Sequence, residues 1–203
     1  MTAIRAVLIG VFLLFVSVAF AADLNKGIQA FHLGDYAAAQ AEFRPLAVQG
    51  NAQAQFNLGV IYDKGLGVQQ DDAEAAQWFR ESAGQGDANA QYALGVLYAD
   101  GRGVAQDDAA AVQWYRKAAA QGSALAQNNL GTIYEFGKGV TQDYAKAYAL
   151  FNLSASIDAT DDNKATAARV HVMRLMTPAQ ITAGQALTLE MQKVGVLQAL
   201  DAQ

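Results

Sequence analysis

The chain has 203 residues, a formal net charge of −5, two histidines, two prolines and no cysteine. It carries no basic run, so the clustered cations that grip a phosphate backbone are missing and nucleic acid is not a predicted partner. Without cysteine there is neither a disulfide framework nor a thiolate metal site, and an alanine-rich sequence with few prolines predicts helix throughout.

In chain order, Met1–Ala6 carries one positive charge at Arg5, Val7–Phe20 is an almost unbroken apolar run, and Ala19-Phe20-Ala21 supplies the small residues a signal peptidase needs. Residues 1–21 are therefore predicted to be a secretory signal, with a mature chain starting near Ala22; an uncleaved anchor is the minor alternative. The mature chain has thirteen basic and nineteen acidic residues, and no later apolar stretch approaches membrane-spanning length. The expected location is periplasmic, with extracellular as the alternative.

Residues 22–50 open the fold with a helix over roughly Leu24–Leu33, a turn at Gly34-Asp35 and a second helix. His32 stands alone at the helix end, with no ligand-spaced partner. From residue 51 the chain repeats itself every 36 residues without a gap. Ala54-Gln55-Phe56-Asn57-Leu58-Gly59 recurs as Ala90-Gln91-Tyr92-Ala93-Leu94-Gly95 and as Ala126-Gln127-Asn128-Asn129-Leu130-Gly131. Tyr62, Tyr98 and Tyr134 follow in register, then Gly-x-Gly-Val turns at Gly65, Gly101 and Gly137, then Gln-Asp pairs at Gln70, Gln106 and Gln142. A fixed period of this length marks a stacked architecture in which no unit buries its apolar face alone.

Each unit reads as two antiparallel helices. In the middle one, Ala90, Leu94, Leu97 and Tyr98 recur at helical spacing, Gly101 ends the helix, and Asp107-Asp108 starts the next. Asp71 followed by Glu74 predicts a capping box. Trp78 and Trp114 are expected to fill wide gaps, where Leu150 replaces tryptophan in the last unit. Beyond residue 157, Asp161-Asp162 is predicted to cap a helix over Asn163–Met176, with His171 as a surface or boundary residue. Thr177-Pro178-Ala179-Gln180 is a strong helix start, and Ile181, Gly184, Leu187, Met191 and Val194 form its inward stripe. This tail is expected to hide the apolar end of the last unit, with Val196–Gln203 frayed.

The pattern Ala-Gln-x-x-Leu-Gly-x-x-Tyr-x-x-Gly-x-Gly-Val-x-x-Asp, with an aromatic pair and an alanine-rich, glycine-closed end, resembles the Sel1-like repeat, a relative of the tetratricopeptide repeat. The resemblance implies an all-α right-handed solenoid with repeats at 51–86, 87–122 and 123–157. A shorter tetratricopeptide-like repeat over 22–50 and capping helices over 158–203 complete it. The family implies a scaffold for assembling proteins, without cofactor. An exported, cysteine-rich branch is associated with binding or slowly hydrolysing β-lactams; this chain has no cysteine.

The residues themselves offer little chemistry. No mature serine begins Ser-x-x-Lys or sits in Gly-x-Ser-x-Gly, and the isolated histidines leave no room for a triad. The Gly-x-Gly turns follow helices rather than strands, so they are not phosphate cradles. The predicted function is a non-catalytic protein- or peptide-binding adaptor of the bacterial envelope, with a cell-wall-peptide or β-lactam enzyme as the alternative. Its ligand is expected in the concave groove lined by the first helix of each repeat. Phe56, Tyr92 and Phe136 are candidate apolar anchors, and Asn57, Asn128 and Asn129 candidate backbone binders. Asp63, Asp100 and Glu135 are acids expected to favour a basic partner.

Overall fold

Capping residues set the boundaries of nearly every helix. Asn51, Asp71, Asp87, Asp107, Ser123 and Thr177 are N-caps, each accepting a hydrogen bond from a backbone N–H of the first turn. These contacts satisfy donors that have no partner inside the helix. In the computed structural model, which describes residues 22–157 and 164–202, the result is eleven helices and no strand among the described residues. They are α1 (Leu24–His32), α2 (Tyr36–Val48), α3 (Ala52–Lys64), α4 (Asp72–Gly84), α5 (Ala88–Asp100), α6 (Asp108–Ala120), α7 (Ala124–Phe136), α8 (Tyr144–Ile157), α9 (Lys164–Leu175), α10 (Pro178–Val194) and α11 (Val196–Asp201). The predicted signal segment and the Asp161-Asp162 cap lie outside the described residues. No described helix is long and apolar enough to cross a membrane.

Successive helices pair as antiparallel hairpins, and the hairpins stack in chain order into an α-solenoid. Gly65, Gly101 and Gly137 end the first helix of each repeat in the left-handed region, at φ 64°, 67° and 68°. Two residues later Gly103 and Gly139 turn again, and a Cβ there would collide with the backbone at Asp72 and Asp108. Each long turn thus lies directly on the start of the preceding repeat's second helix, which is why the Gly-x-Gly spacing is needed.

Within each hairpin a glycine on the first helix meets a ring on the second. Gly27 faces Phe43, Gly59 faces Phe79, Gly95 faces Tyr115 and Gly131 faces Phe151. The motif glutamine tightens the joint between hairpins. Gln55, Gln91 and Gln127 are buried and donate Nε2 to the carbonyls of Ala47, Ala83 and Ala119, at 3.0, 3.2 and 3.2 Å. A second glutamine closes two of these joints: Gln85 donates to Gln55 Oε1 at 2.6 Å and Gln121 to Gln91 Oε1 at 2.9 Å.

Three sequence expectations change. The capping box at Asp71 is replaced by a forward bond, since the Glu74 carboxylate accepts from the Trp78 indole at 3.0 Å. Trp78 and Trp114 are only partly buried, each packed on the core shared by the preceding unit's second helix and its own repeat's first helix, whereas Leu150 is fully buried. The C-terminal segment is also ordered rather than frayed. α9 follows α8 at the end of the stack, but α10 folds back along α8 and α11 reaches α6. Gly184 lets α10 approach Tyr148 closely, and Val196, Ala199 and Leu200 are buried in the same core as Val112 and Tyr148. An Arg116–Asp201 ion pair fastens this strap. The tail therefore covers the second helices as well as the end of the last repeat, because α6 and α8 present apolar side chains there.

Candidate functional site

The first helices carry a row of three equivalent notches. The first, about 140 Å³, is lined by Ile28, Phe31, His32, Phe43, Gln53 and Asn57. The second, about 200 Å³, is lined by Asp63, Lys64, Phe79, Tyr92, Ala93, Val96 and Arg102. The third is the largest, about 380 Å³, and brings together Ala99, Asp100, Gln106, Asp108, Tyr115, Asn129, Thr132, Ile133 and Lys138. Phe43, Phe79 and Tyr115, 36 residues apart, contribute one ring to each. Asn57, Ala93 and Asn129, again 36 apart, form the wall given by the following repeat. The period of the sequence is thus the period of the notches.

Aromatic pairs stiffen this surface. Phe56 packs against Phe79 with centroids 5.8 Å apart, and Tyr92 against Tyr115 at 5.9 Å. Asn129 Nδ2 donates to the Tyr115 hydroxyl at 3.3 Å. Burial pushes the Tyr115 phenol up to about 12, and raises Tyr92 as well, with Asn129 opposing both shifts. Both hydroxyls therefore stay protonated and available as donors at neutral pH.

The candidate residues do not all reach the surface. Asn57 lines the first notch, Tyr92 the second, and Asp100 and Asn129 the third. Phe136 is 61% exposed. Asn128 is half-buried, its Oδ1 buried without a hydrogen-bond partner among the described residues. Phe56 is half-buried against its neighbouring ring. Asp63 and Glu135 are different: they are 8% and 6% exposed. Arg102 Nη2 bonds Asp63 Oδ1 at 2.9 Å, while Lys64 Nζ holds Oδ2 at 2.9 Å. Burial alone would raise the Asp63 carboxyl, but these two cations overcome it and hold it below its ordinary value. Glu135 pairs with His171 Nε2 at 3.4 Å, and burial raises its carboxyl despite that neighbour. Both acids are spent on partners inside the chain, so neither offers a free charge to a basic ligand.

Sequence reasoning missed Arg102 and Lys138 as site residues. The signal was present: each follows the first glycine of a Gly-x-Gly turn, at positions 36 apart. Candidate nucleophiles are equally absorbed by structure. Ser82 and Ser154 donate to the carbonyls of Ala52 and Ala124 at 2.8 Å, Ser123 caps α7, and Ser156 donates to Leu153.

Residues 52–87, 88–123 and 124–157 each match the Sel1 repeat, together more than half of the chain. This chain belongs to the Sel1 repeat family. Sel1-repeat proteins are generally non-catalytic scaffolds for protein interaction. Among solved structures it is similar to a protective antigen present in uropathogenic Escherichia coli strains, which displays an SLR fold. That match has 32% identity and a TM-score of 0.76, covering 85% of this chain and 38% of the antigen. It is also similar to a Sel1 repeat protein from Oxalobacter formigenes, at 35% identity and a TM-score of 0.67, covering 73% of this chain and 58% of that one. This chain thus spans less than two thirds of either relative. The MamA protein shares the fold at 17% identity and a TM-score of 0.50, over 85% of this chain and 93% of MamA. No curated protein matches the sequence.

Proposed function

We propose that this Sel1-repeat chain is an exported adaptor of the bacterial envelope that binds a protein or peptide along its first-helix face. The observation that carries the reading is the row of three notches at the repeat period, each with a ring and a different set of polar groups. Neighbouring helices pack about 8–10 Å apart, and an extended strand advances roughly 3.3 Å per residue. A strand crossing the first helices would present side chains to successive notches at an interval set by the repeat spacing. Several weak contacts then act together on a surface that needs no reordering, which favours binding without catalysis. The apolar segment at Val7–Phe20 supports export, and the acidic composition argues against nucleic acid.

An affinity capture from the envelope fraction, comparing the protein with its Tyr92→Ala/Asn129→Ala variant at matched helicity, tests the reading. A partner held by the first and lost by the second supports it. A partner held equally by both moves the function to the second helices or the C-terminal strap, and overturns it.

A further inference from the structure

In two of the places where one repeat meets the next element, the carboxylate at this position has a partner inside the chain. Asp63 in the last turn of α3 meets Arg102 from the following turn, at 2.9 Å. Glu135, at the same position of α7, meets His171 on α9 at 3.4 Å. The middle place breaks the pattern. Ala99 stands where Asp63 and Glu135 carry carboxylates, while Lys138 stands where Arg102 does. Lys138 makes no ion pair among the described residues. The space vacated by the missing side chain belongs to the largest notch, about 380 Å³ against about 200 Å³ where Asp63 and Arg102 are present.

We infer that this third notch binds a carboxylate carried by the ligand, which takes the place of the absent acid at position 99 and pairs with Lys138. The inference rests on the first-helix face being the partner-binding face. The other groups suit this role. The Tyr115 hydroxyl accepts from Asn129, which leaves its own proton free to donate. Two acids line the same notch: Asp100 lies 4.0 Å from Arg102 Nε, a cation it shares with Asp63 and Asp72, and Asp108 sits in the first turn of α6, where the helix dipole favours negative charge. A carboxylate bonded by an ammonium and a hydroxyl makes charge-assisted hydrogen bonds, stronger than those of a neutral amide at the same point. The carboxylate can be a peptide's C-terminus or an Asp or Glu side chain, since both present the same two oxygens.

The test is a nuclear magnetic resonance titration of the ¹⁵N-labelled protein with three blocked amino acids. N-acetylalanine offers a terminal carboxylate, N-acetylglutamate α-amide offers a side-chain one, and N-acetyllysine amide is the cationic control. Saturable shifts at Ala99, Asn129 and Lys138 are expected with one or both acids, in the millimolar range suited to one ion pair, and weaker at high salt. Whichever acid binds more tightly identifies the source. Lys138→Gln, an exposed change, should weaken binding about tenfold, and Ala99→Asp should abolish it by restoring the internal pair. Asp63→Ala should create a second carboxylate response at Arg102. Acid binding unchanged by Lys138→Gln, a stronger response to the lysine probe, or no saturation by either acid overturns the inference. The two readings fail separately. A captured partner still sensitive to Tyr92→Ala/Asn129→Ala, with no acid binding, removes only the carboxylate notch. Acid binding with a partner indifferent to both that variant and Lys138→Gln removes the groove reading.

Discussion

Asp63 and Arg102 meet at 2.9 Å although 39 residues separate them, joining the end of α3 to the turn between α5 and α6. The same guanidinium also reaches Asp72 Oδ1 at 3.2 Å, so one side chain ties together α3, α4 and the next repeat. The Asp63 carboxyl is held below its ordinary value of 3.8. As pH falls, the unfolded chain therefore takes up this proton before the folded one does. The pair's contribution is complete above about pH 4 and is lost as pH drops through the lower folded value.

Arg102→Gln should accordingly lower the melting temperature at pH 7 by about 2–4 °C, equivalent to roughly 1 kcal/mol for a partly exposed cation. The difference from the parent should shrink when both are melted below pH 3. A gap that stays constant across this range would assign the loss to packing rather than to charge.

Glu135 behaves in the opposite sense. Burial raises its carboxyl above 4.5, so the folded chain binds the proton more readily than the unfolded one. Its ionised form weakens the fold, and that cost is present at neutral pH and relieved as pH falls through the raised value. Glu135→Gln is expected to raise the melting temperature slightly at pH 7, by about 1–2 °C, with no gain at pH 4. Equal or lower stability at pH 7 would show that the His171 contact outweighs burial.

Two glycines in neighbouring helices should respond with opposite signs to the same change. A Cβ at Gly59 would stand 2.5 Å from Phe79 Cδ1, and relieving it requires moving a ring buried in the hairpin core. Gly59→Ala is expected to cost about 1–3 kcal/mol. Gly84, the last residue of α4, has nothing within 4 Å of the same position. Gly84→Ala should therefore stabilise by roughly 0.5–1 kcal/mol through lost unfolded-state freedom. Urea unfolding of the two variants measures both; destabilisation by Gly84→Ala as large as that by Gly59→Ala would contradict the packing argument.

The glutamine joint is incomplete at its last copy. Gln127 Oε1 is buried and has no hydrogen-bond partner among the described residues, although its equivalents in Gln55 and Gln91 accept from Gln85 and Gln121. The next position in that series, 36 residues after Gln121, is Ile157, which is half exposed. Ile157→Gln should supply the missing donor and stabilise by about 1 kcal/mol, with little apolar burial lost. A denaturant midpoint at or below that of the parent would refute it.

Much of the molecule was legible as sequence because its instructions are local. The Asp and Ser caps act within three residues, the glycines act on their own backbone angles, and the apolar spacing acts through one helical turn. Repetition every 36 residues multiplied these signals and fixed the stacked-helix fold, the hairpin boundaries and the inward stripe of α10. The site was legible only in part. Helical phase alone put Asn57, Tyr92, Asp100 and Asn129 on the face that carries the notches. Phase could not reveal that Asp63 and Glu135 turn inward to Arg102 and His171, because those partners lie in the next structural unit and the pairing depends on how the units stack. Nor could it show that α10 and α11 fold back over α8 and α6, which follows from apolar side chains brought side by side only after the repeats have assembled. The sequence by itself determined the repeat, its helices and the face that varies; tertiary packing decided which charges on that face are consumed inside the chain and left Lys138 beside Ala99 without an ion-pair partner among the described residues.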